Sequence, residues 1–283
     1  MTDFQFINLN GTKICYAVEG SGPPCFVIGF GRYTARLLSP AWREHFQLIF
    51  TDYRGLDPAD TGFDIDTLNL PNLLGDIDAL RQYLRLDVIT ILGHSTAGVL
   101  ALDYTLACPR HVSHLLLLCS PPVYTTGFRQ QQQDHMQEEL LGERARIFHQ
   151  NLKQFNQIKS ALAGQDFFFQ FGRAQAPVYW YDPRFDESVF WQGINLNVDI
   201  INQFVPRVYN EHDMTARFPE IRVPVFLALG RYDFATPYNI WDGHTASIRD
   251  LTIKLYTQSS HYPMVDEREQ FDRDVMQWYQ SRV

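Results

Sequence analysis

Ser95 stands in the hexapeptide Gly93-His94-Ser95-Thr96-Ala97-Gly98, directly after the apolar run of residues 87–92 and directly before a helix-forming stretch. A serine hydroxyl is a weak nucleophile at neutral pH, and it needs an adjacent base and donors that can take up a developing oxyanion. A tight strand-to-helix turn flanked by small residues would hold such a hydroxyl exposed at the edge of a sheet. Gly-x-Ser-x-small patterns also arise by chance. The chemical reading therefore demands a strand before the serine, a helix after it, and an acid and then a histidine later in the chain.

Asp233 and His261 answer that demand. Asp233 closes Gly230-Arg231-Tyr232-Asp233, which follows the apolar run Val225 to Leu229. An aspartate after a strand is often only a turn or cap residue, but this one precedes a well-placed histidine. His261 lies in Ser259-Ser260-His261-Tyr262-Pro263, after the last predicted strand and before the closing helix. The competing acid position, after the strand 112–118, holds Cys119-Ser120-Pro121 and offers no carboxylate. His94 adjoins Ser95, yet neighbours on a tight turn point apart, so its expected role is to support the loop.

The elements that must position these residues can be read from periodicity. Phe4 to Leu9 and Thr12 to Val18 read as strands around the turn Asn10-Gly11, followed by short strands over residues 25–28 and 48–51. Leu70, Leu73, Leu74, Ile77, Leu80 and Leu84 recur at three- and four-residue steps and predict an amphipathic helix leading to the strand before Ser95. After Ser95 a helix is expected until Pro109, then the apolar strand Val112 to Leu118. A strand over 225–229, a helix near Asn239 to Ser247, a strand from Leu251 to Tyr256 and a helix from about Glu267 to Tyr279 complete the pattern. Such alternation predicts an α/β fold whose mostly parallel central sheet is flanked by helices.

Residues 122–219 depart from that alternation. They are helical in pattern and aromatic-rich, and Gln130 to Gln133 suit a polar helix face. The expected division is a core of residues 1–121 and 220–283 with a helical cap inserted at 122–219. The net charge of −8 and the lack of a basic run argue against nucleic acid or an anionic membrane as partner. No stretch approaches the roughly twenty apolar residues of a membrane span. The start Met1-Thr2-Asp3-Phe4-Gln5 lacks the basic and apolar regions of a secretory signal, which predicts a cytoplasmic location. Cys15, Cys25, Cys108 and Cys119 show no metal-ligand spacing, so neither a disulfide nor a zinc site is expected.

The order Ser95, Asp233, His261, together with Asp52-Tyr53-Arg54-Gly55 after the strand at 48–51, resembles the α/β-hydrolase superfamily over nearly the whole chain. The similarity is to the cap-bearing branch that holds proline iminopeptidases (peptidase S33-like) and carboxylesterases. It implies a Ser95–His261–Asp233 triad, with an oxyanion hole formed by the backbone N–H groups of Thr96 and Phe30. No metal or organic cofactor is implied. Ile28 stands where the superfamily commonly has histidine, Ala97 replaces a glycine of the elbow, and residues 56–59 depart from the usual small and hydroxyl residues.

The expected activity is that of a serine hydrolase cleaving an ester or amide of a small, partly apolar substrate through an acyl-enzyme. Two alternatives are a proline-iminopeptidase-like aminopeptidase acting on short peptides and a small-molecule binding protein with little turnover. Of the cap aromatics Phe167, Phe168, Phe169, Phe171, Tyr179, Trp180, Tyr181, Phe190 and Trp191, at most about a third are expected to face substrate. An aminopeptidase would need cap carboxylates for the substrate ammonium. Glu138, Glu139, Glu187, Glu211 and Asp213 are available, but acidic side chains on helices are usually solvated, and none is assigned to the site.

Overall fold

A computed structural model describes residues 2–9, 11–60 and 62–282. Eight strands form one sheet: β1 (Gln5–Leu9), β2 (Thr12–Glu19), β3 (Pro24–Gly29), β4 (Gln47–Asp52), β5 (Ile89–His94), β6 (Val112–Leu118), β9 (Val225–Gly230) and β10 (Leu251–Tyr256). Their order is β1-β2-β4-β3-β5-β6-β9-β10. β2 runs antiparallel to β1 and β4, and every other neighbour is parallel. Central strands β5, β6 and β9 are buried almost throughout, which is why they read as nearly continuous apolar runs without alternation. Asn10 of the expected first turn lies outside the described residues.

Helices α1 (Gly31–Leu37), α2 (Trp42–His45), α3 (Leu70–Tyr83) and α4 (Thr96–Ala107) connect the first strands. Between β6 and β9 come α5 (Thr126–Glu139), α6 (Gly142–Ile158), α7 (Gly164–Ala174), α8 (Ala176–Tyr179), α9 (Ser188–Trp191) and α10 (Val198–Val208). The chain closes with α11 (Pro263–Asp266) and α12 (Arg268–Gln280). The helical segment between β6 and β9 also holds a short pair the sequence pattern did not show: β7 (Val123–Tyr124) runs antiparallel to β8 (His212–Asp213). Two residues per strand are too few for alternation to register. The pair brings the two ends of this segment together, and His212 Nε2 meets Asp103 Oδ1 of α4 at 3.0 Å.

One expected helix is absent. Residues 239–247 instead form two separate single turns, Tyr238–Trp241 and Thr245–Ser247, and Gly243 between them adopts φ +84°. The apolar residues there, Ile240, Trp241 and Ile248, leave a polar gap over 242–245 with no stripe to bury.

The topology fixes where chemistry can occur. From β3 the chain passes to β4 on one side of it and returns to β5 on the other, so the loops leaving β3 and β5 part and open a crevice at the carboxyl edge. Phe30 follows β3 and Ser95 follows β5. The loop after β4 is anchored beneath by Arg54, whose Nε and Nη2 bond both carboxylate oxygens of Asp76 at 2.6 and 2.5 Å. No helix among the described residues is long and apolar enough to cross a membrane.

Candidate active site

Ser95 has φ +55° and ψ −126°, a conformation that non-glycine residues rarely hold and that costs about 1–3 kcal/mol. Close packing keeps it there. A side chain at Gly93 would collide with the Ala97 carbonyl and one at Gly98 with the Ser120 hydroxyl, so both neighbours must be glycine for the turn to close. Ser95 N donates to Leu118 O at 2.8 Å, pinning the turn to the end of β6. The hydroxyl-bearing residue is half-buried in the wall of a cavity of about 250 Å³.

His261 lines the same cavity, and its Nδ1 lies 2.7 Å from Asp233 Oδ2 with both residues buried. The other carboxylate oxygen accepts from Ala235 N at 2.9 Å and Thr236 N at 2.8 Å, a local turn that fixes the acid. A carboxylate oxygen accepts the bond, so in this arrangement Nδ1 carries the proton and the lone pair stays on Nε2. The main chain of the base loop is held as well. His261 N donates to Tyr179 O of α8 at 3.0 Å, Ser260 N donates to Asp266 Oδ2 at 2.9 Å, and the Ser260 hydroxyl donates to Val178 O at 3.1 Å and Tyr232 O at 2.7 Å.

The three residues proposed from sequence are thus brought to one edge of the sheet. Phe30 and Thr96 also line the cavity, at the entries of α1 and α4, where backbone N–H groups have no intrahelical acceptor. Cys119 is an addition that its spacing concealed. Its Sγ and the donor atoms of Asp233 and His261 lie within 4.8 Å of one another. Burial, reinforced by the Asp233 charge, pushes the thiol well above its ordinary pKa, and the S–H donates toward Ser260 O at 3.7 Å. A metal at this trio would have to break the Asp233–His261 bond and strip that proton.

Much of the remaining wall is aromatic. Phe168, Phe171, Tyr179 and Trp191 line it, four of the nine cap aromatics and more than the third expected, joined by Tyr33, Tyr53 and Tyr262 from the sheet side. Sequence reasoning missed those three tyrosines because each reaches the cavity only by packing against segments distant in the chain.

The same holds for Glu187, to which the sequence assigns no site role. It is half-buried in the cavity wall, with Oε1 2.6 Å from where a Cβ on Gly172 would sit and Oε2 3.4 Å from the Tyr33 hydroxyl. Burial raises its carboxyl to about 6, opposed by the nearby Trp180 and Trp191 indole N–H groups and Tyr33. The other candidate carboxylates lie elsewhere: Glu211 binds Thr126 and Arg129, Glu139 binds Arg231, Asp213 caps Thr215, and Glu138 is exposed.

A family described as "alpha/beta hydrolase fold" matches residues 28–267. The chain belongs to this family. It is 28% identical over 270 residues to the AB hydrolase superfamily protein YclE of Bacillus subtilis (strain 168), covering 95% of this chain and 96% of the relative. It is 25% identical over 285 residues to a proline iminopeptidase of Heyndrickxia coagulans, covering 94% of each. In three dimensions it is similar to the esterase EaEST from Exiguobacterium antarcticum, with TM-score 0.68, 20% identity and 98% and 99% of the two chains covered. An alpha/beta fold family hydrolase from Bacillus anthracis str. Sterne gives TM-score 0.73 at 18% identity, covering 96% of this chain and 98% of that one.

Within this alpha/beta hydrolase the departures noted in the sequence acquire places. Ile28 and Ala97 line the cavity and make its floor apolar, while Leu56 O accepts from Asn197 N at 2.8 Å and so ties the loop after β4 to the segment before α10.

The carboxyl of Asp266, which holds the loop carrying His261, is also raised: burial lifts it to about 7 against the hydrogen bonds from Ser260 N and Tyr181 N and the charge of Arg144. Its unfolded value is close to 3.9, so between pH 4 and 7 the folded state retains a proton that the unfolded chain has released. The contribution is full below pH 4 and lost as pH rises through 7. In urea titrations, wild type should therefore lose stability relative to Asp266→Asn across that window, by an amount of order 2–4 kcal/mol. A difference that stays constant with pH would contradict this assignment.

Proposed function

We propose that the chain is a serine hydrolase that cleaves a carboxylic ester or amide of a small, partly apolar substrate. The observation that carries this reading is the 2.7 Å bond between His261 Nδ1 and Asp233 Oδ2, facing the cavity that Ser95 enters from its strained turn. His261 Nε2 takes the Ser95 proton as Oγ attacks the substrate carbonyl. Asp233 stabilises the imidazolium and holds its tautomer. The N–H groups of Phe30 and Thr96 bind the oxyanion, each typically contributing about 3 kcal/mol of transition-state stabilisation. The imidazolium then protonates the leaving group, and water, activated by the same base, releases the acyl group.

Residues 122–219 act in this scheme as a cap over a core of residues 1–121 and 220–283. The cavity of about 250 Å³, walled mainly by aromatic and aliphatic side chains, suits a short acyl or aryl group. Four free cysteines fit a reducing, cytoplasmic setting.

Glu187 favours a second reading, in which the substrate carries a free amine, as a proline-iminopeptidase-like exopeptidase requires. It faces neutral donors, and among the described residues it makes no salt bridge, the nearby Arg173 pairing with Asp186 instead. Above pH 6 its charge would be matched best by a ligand ammonium.

Three experiments test these readings. Ser95→Ala and His261→Ala should each lower kcat/KM by about 10⁴-fold or more while leaving the melting temperature near wild type, and Asp233→Asn should lower it less severely. A fluorophosphonate probe should label wild type and not Ser95→Ala. Turnover unchanged in Ser95→Ala would end the hydrolase proposal. For the second reading, Glu187→Gln should raise KM for prolyl arylamide by about tenfold or more and leave neutral aryl esters nearly unaffected. Equal effects on both substrate types would remove the amine-binding role.

A further inference from the structure

In the sheet, β5, which leads to Ser95, and β10, which leads to His261, are separated by β6 and β9. Three strand intervals of about 4.8 Å put their ends roughly 14 Å apart. The base loop must therefore reach back over two strand ends to serve the nucleophile, and something must register the two loops against each other. The Asp233 bond cannot do this alone. It sets the rotation of the His261 ring, but Asp233 follows the end of β9 and its hydrogen bonds go to Gly230, Ala235, Thr236 and His261, none to the elbow.

One contact spans the gap. His94, the residue before Ser95, places Nε2 2.8 Å from the main-chain oxygen of His261. Among the described residues this is the only hydrogen bond joining residues 93–96 directly to the base loop at 257–262. The His94 ring also packs against the rings of His261, with centroids 4.6 Å apart, and Tyr262, at 4.9 Å. A carbonyl oxygen only accepts, so Nε2 carries the proton.

We propose that His94 is a positioning residue, whose Nε2–H···O=C bond to His261 sets the spacing between nucleophile and base. The proposal rests on the Ser95–His261 assignment above and adds a component to it. The state of the ring fits the task. Burial, with a smaller contribution from His261, pushes His94 down to about 3, so it stays neutral at working pH and places no positive charge beside a base that must itself become cationic.

Three substitutions separate this role from packing. His94→Phe keeps the ring and loses the donor. His94→Gln keeps a donor at nearly the reach of Nε2. His94→Asn is polar but one bond too short. The Phe and Asn variants should show kcat and the rate of fluorophosphonate labelling lowered about 10- to 100-fold with KM within about twofold of wild type, as a small misplacement of reacting groups produces. His94→Gln should recover to within about fivefold. The low-field proton resonance of His261 Nδ1–H should persist in all three, because Asp233 is untouched.

The proposal is overturned if His94→Phe or His94→Asn works at the wild-type rate, if His94→Gln is as slow as they are, or if the low-field resonance is lost with activity. Should His94→Phe fail to fold, the comparison of Asn with Gln decides. Ser95→Ala in the same series separates the two levels: residual labelling or turnover in it sinks the hydrolase reading, whereas a dead Ser95→Ala beside a fully active His94→Phe sinks only the role of His94.

Discussion

The Asp233–His261 hydrogen bond is the interaction on which the proposed chemistry depends, because it decides which imidazole nitrogen is free to act as a base. That bond exists only if loops from two neighbouring strands meet over the end of the sheet. Parallel register between β9 and β10 places Gly230 opposite Tyr256, so both loops leave at the same height. From there the acid is fixed by its own turn, and the base loop by contacts on every side. Ser260 and His261 together take hydrogen bonds from or give them to α8, α11, the acid loop and the elbow. Such redundancy suits a residue whose position must be held to within a fraction of an ångström.

Part of this framework comes from the helical segment between β6 and β9. Tyr179 O receives the His261 N–H and Val178 O receives both Phe234 N–H and the Ser260 hydroxyl, so a short stretch of α8 is bonded to the acid loop and the base loop at once. Arg144 of α6 in turn donates to the carbonyls of Pro177, Trp180 and Tyr181, bracing that stretch from behind. In the proposed scheme the cap therefore has two parts. The stretch around α8 supports the machinery and cannot lift without releasing the base. By contrast α7 and α9, which bring Phe168, Phe171, Glu187 and Trp191 to the cavity, shape what binds.

Much of this was legible in the sequence because the core strands bury both faces. Runs such as Val112 to Leu118 and Val225 to Leu229 announce themselves without alternation, and a reactive residue after each of several such runs marks one edge of a parallel sheet. The glycines around Ser95 were equally legible, since a tight strand-to-helix turn leaves little room for side chains. What stayed hidden depended on long-range packing. Glu187 looks like any other helical carboxylate until α9 folds against Tyr33 of α1, and Cys119 looks like a small core residue until β10 brings His261 beside it. The helix expected over 239–247 failed for a local reason, because Gly243 and its polar neighbours leave that stretch without a buried stripe. The β7–β8 pair was too short to leave a periodic signal.

The central claim is most directly tested by a crystal structure of the chain after reaction with an organophosphonate ester, which leaves a tetrahedral adduct resembling the acylation intermediate. The account predicts phosphorus bonded to Ser95 Oγ, the phosphoryl oxygen within hydrogen-bond distance of the Phe30 and Thr96 N–H groups, and His261 Nε2 turned toward the serine oxygen. An adduct on another residue, or His261 Nε2 out of reach of Ser95 in that adduct, would contradict it.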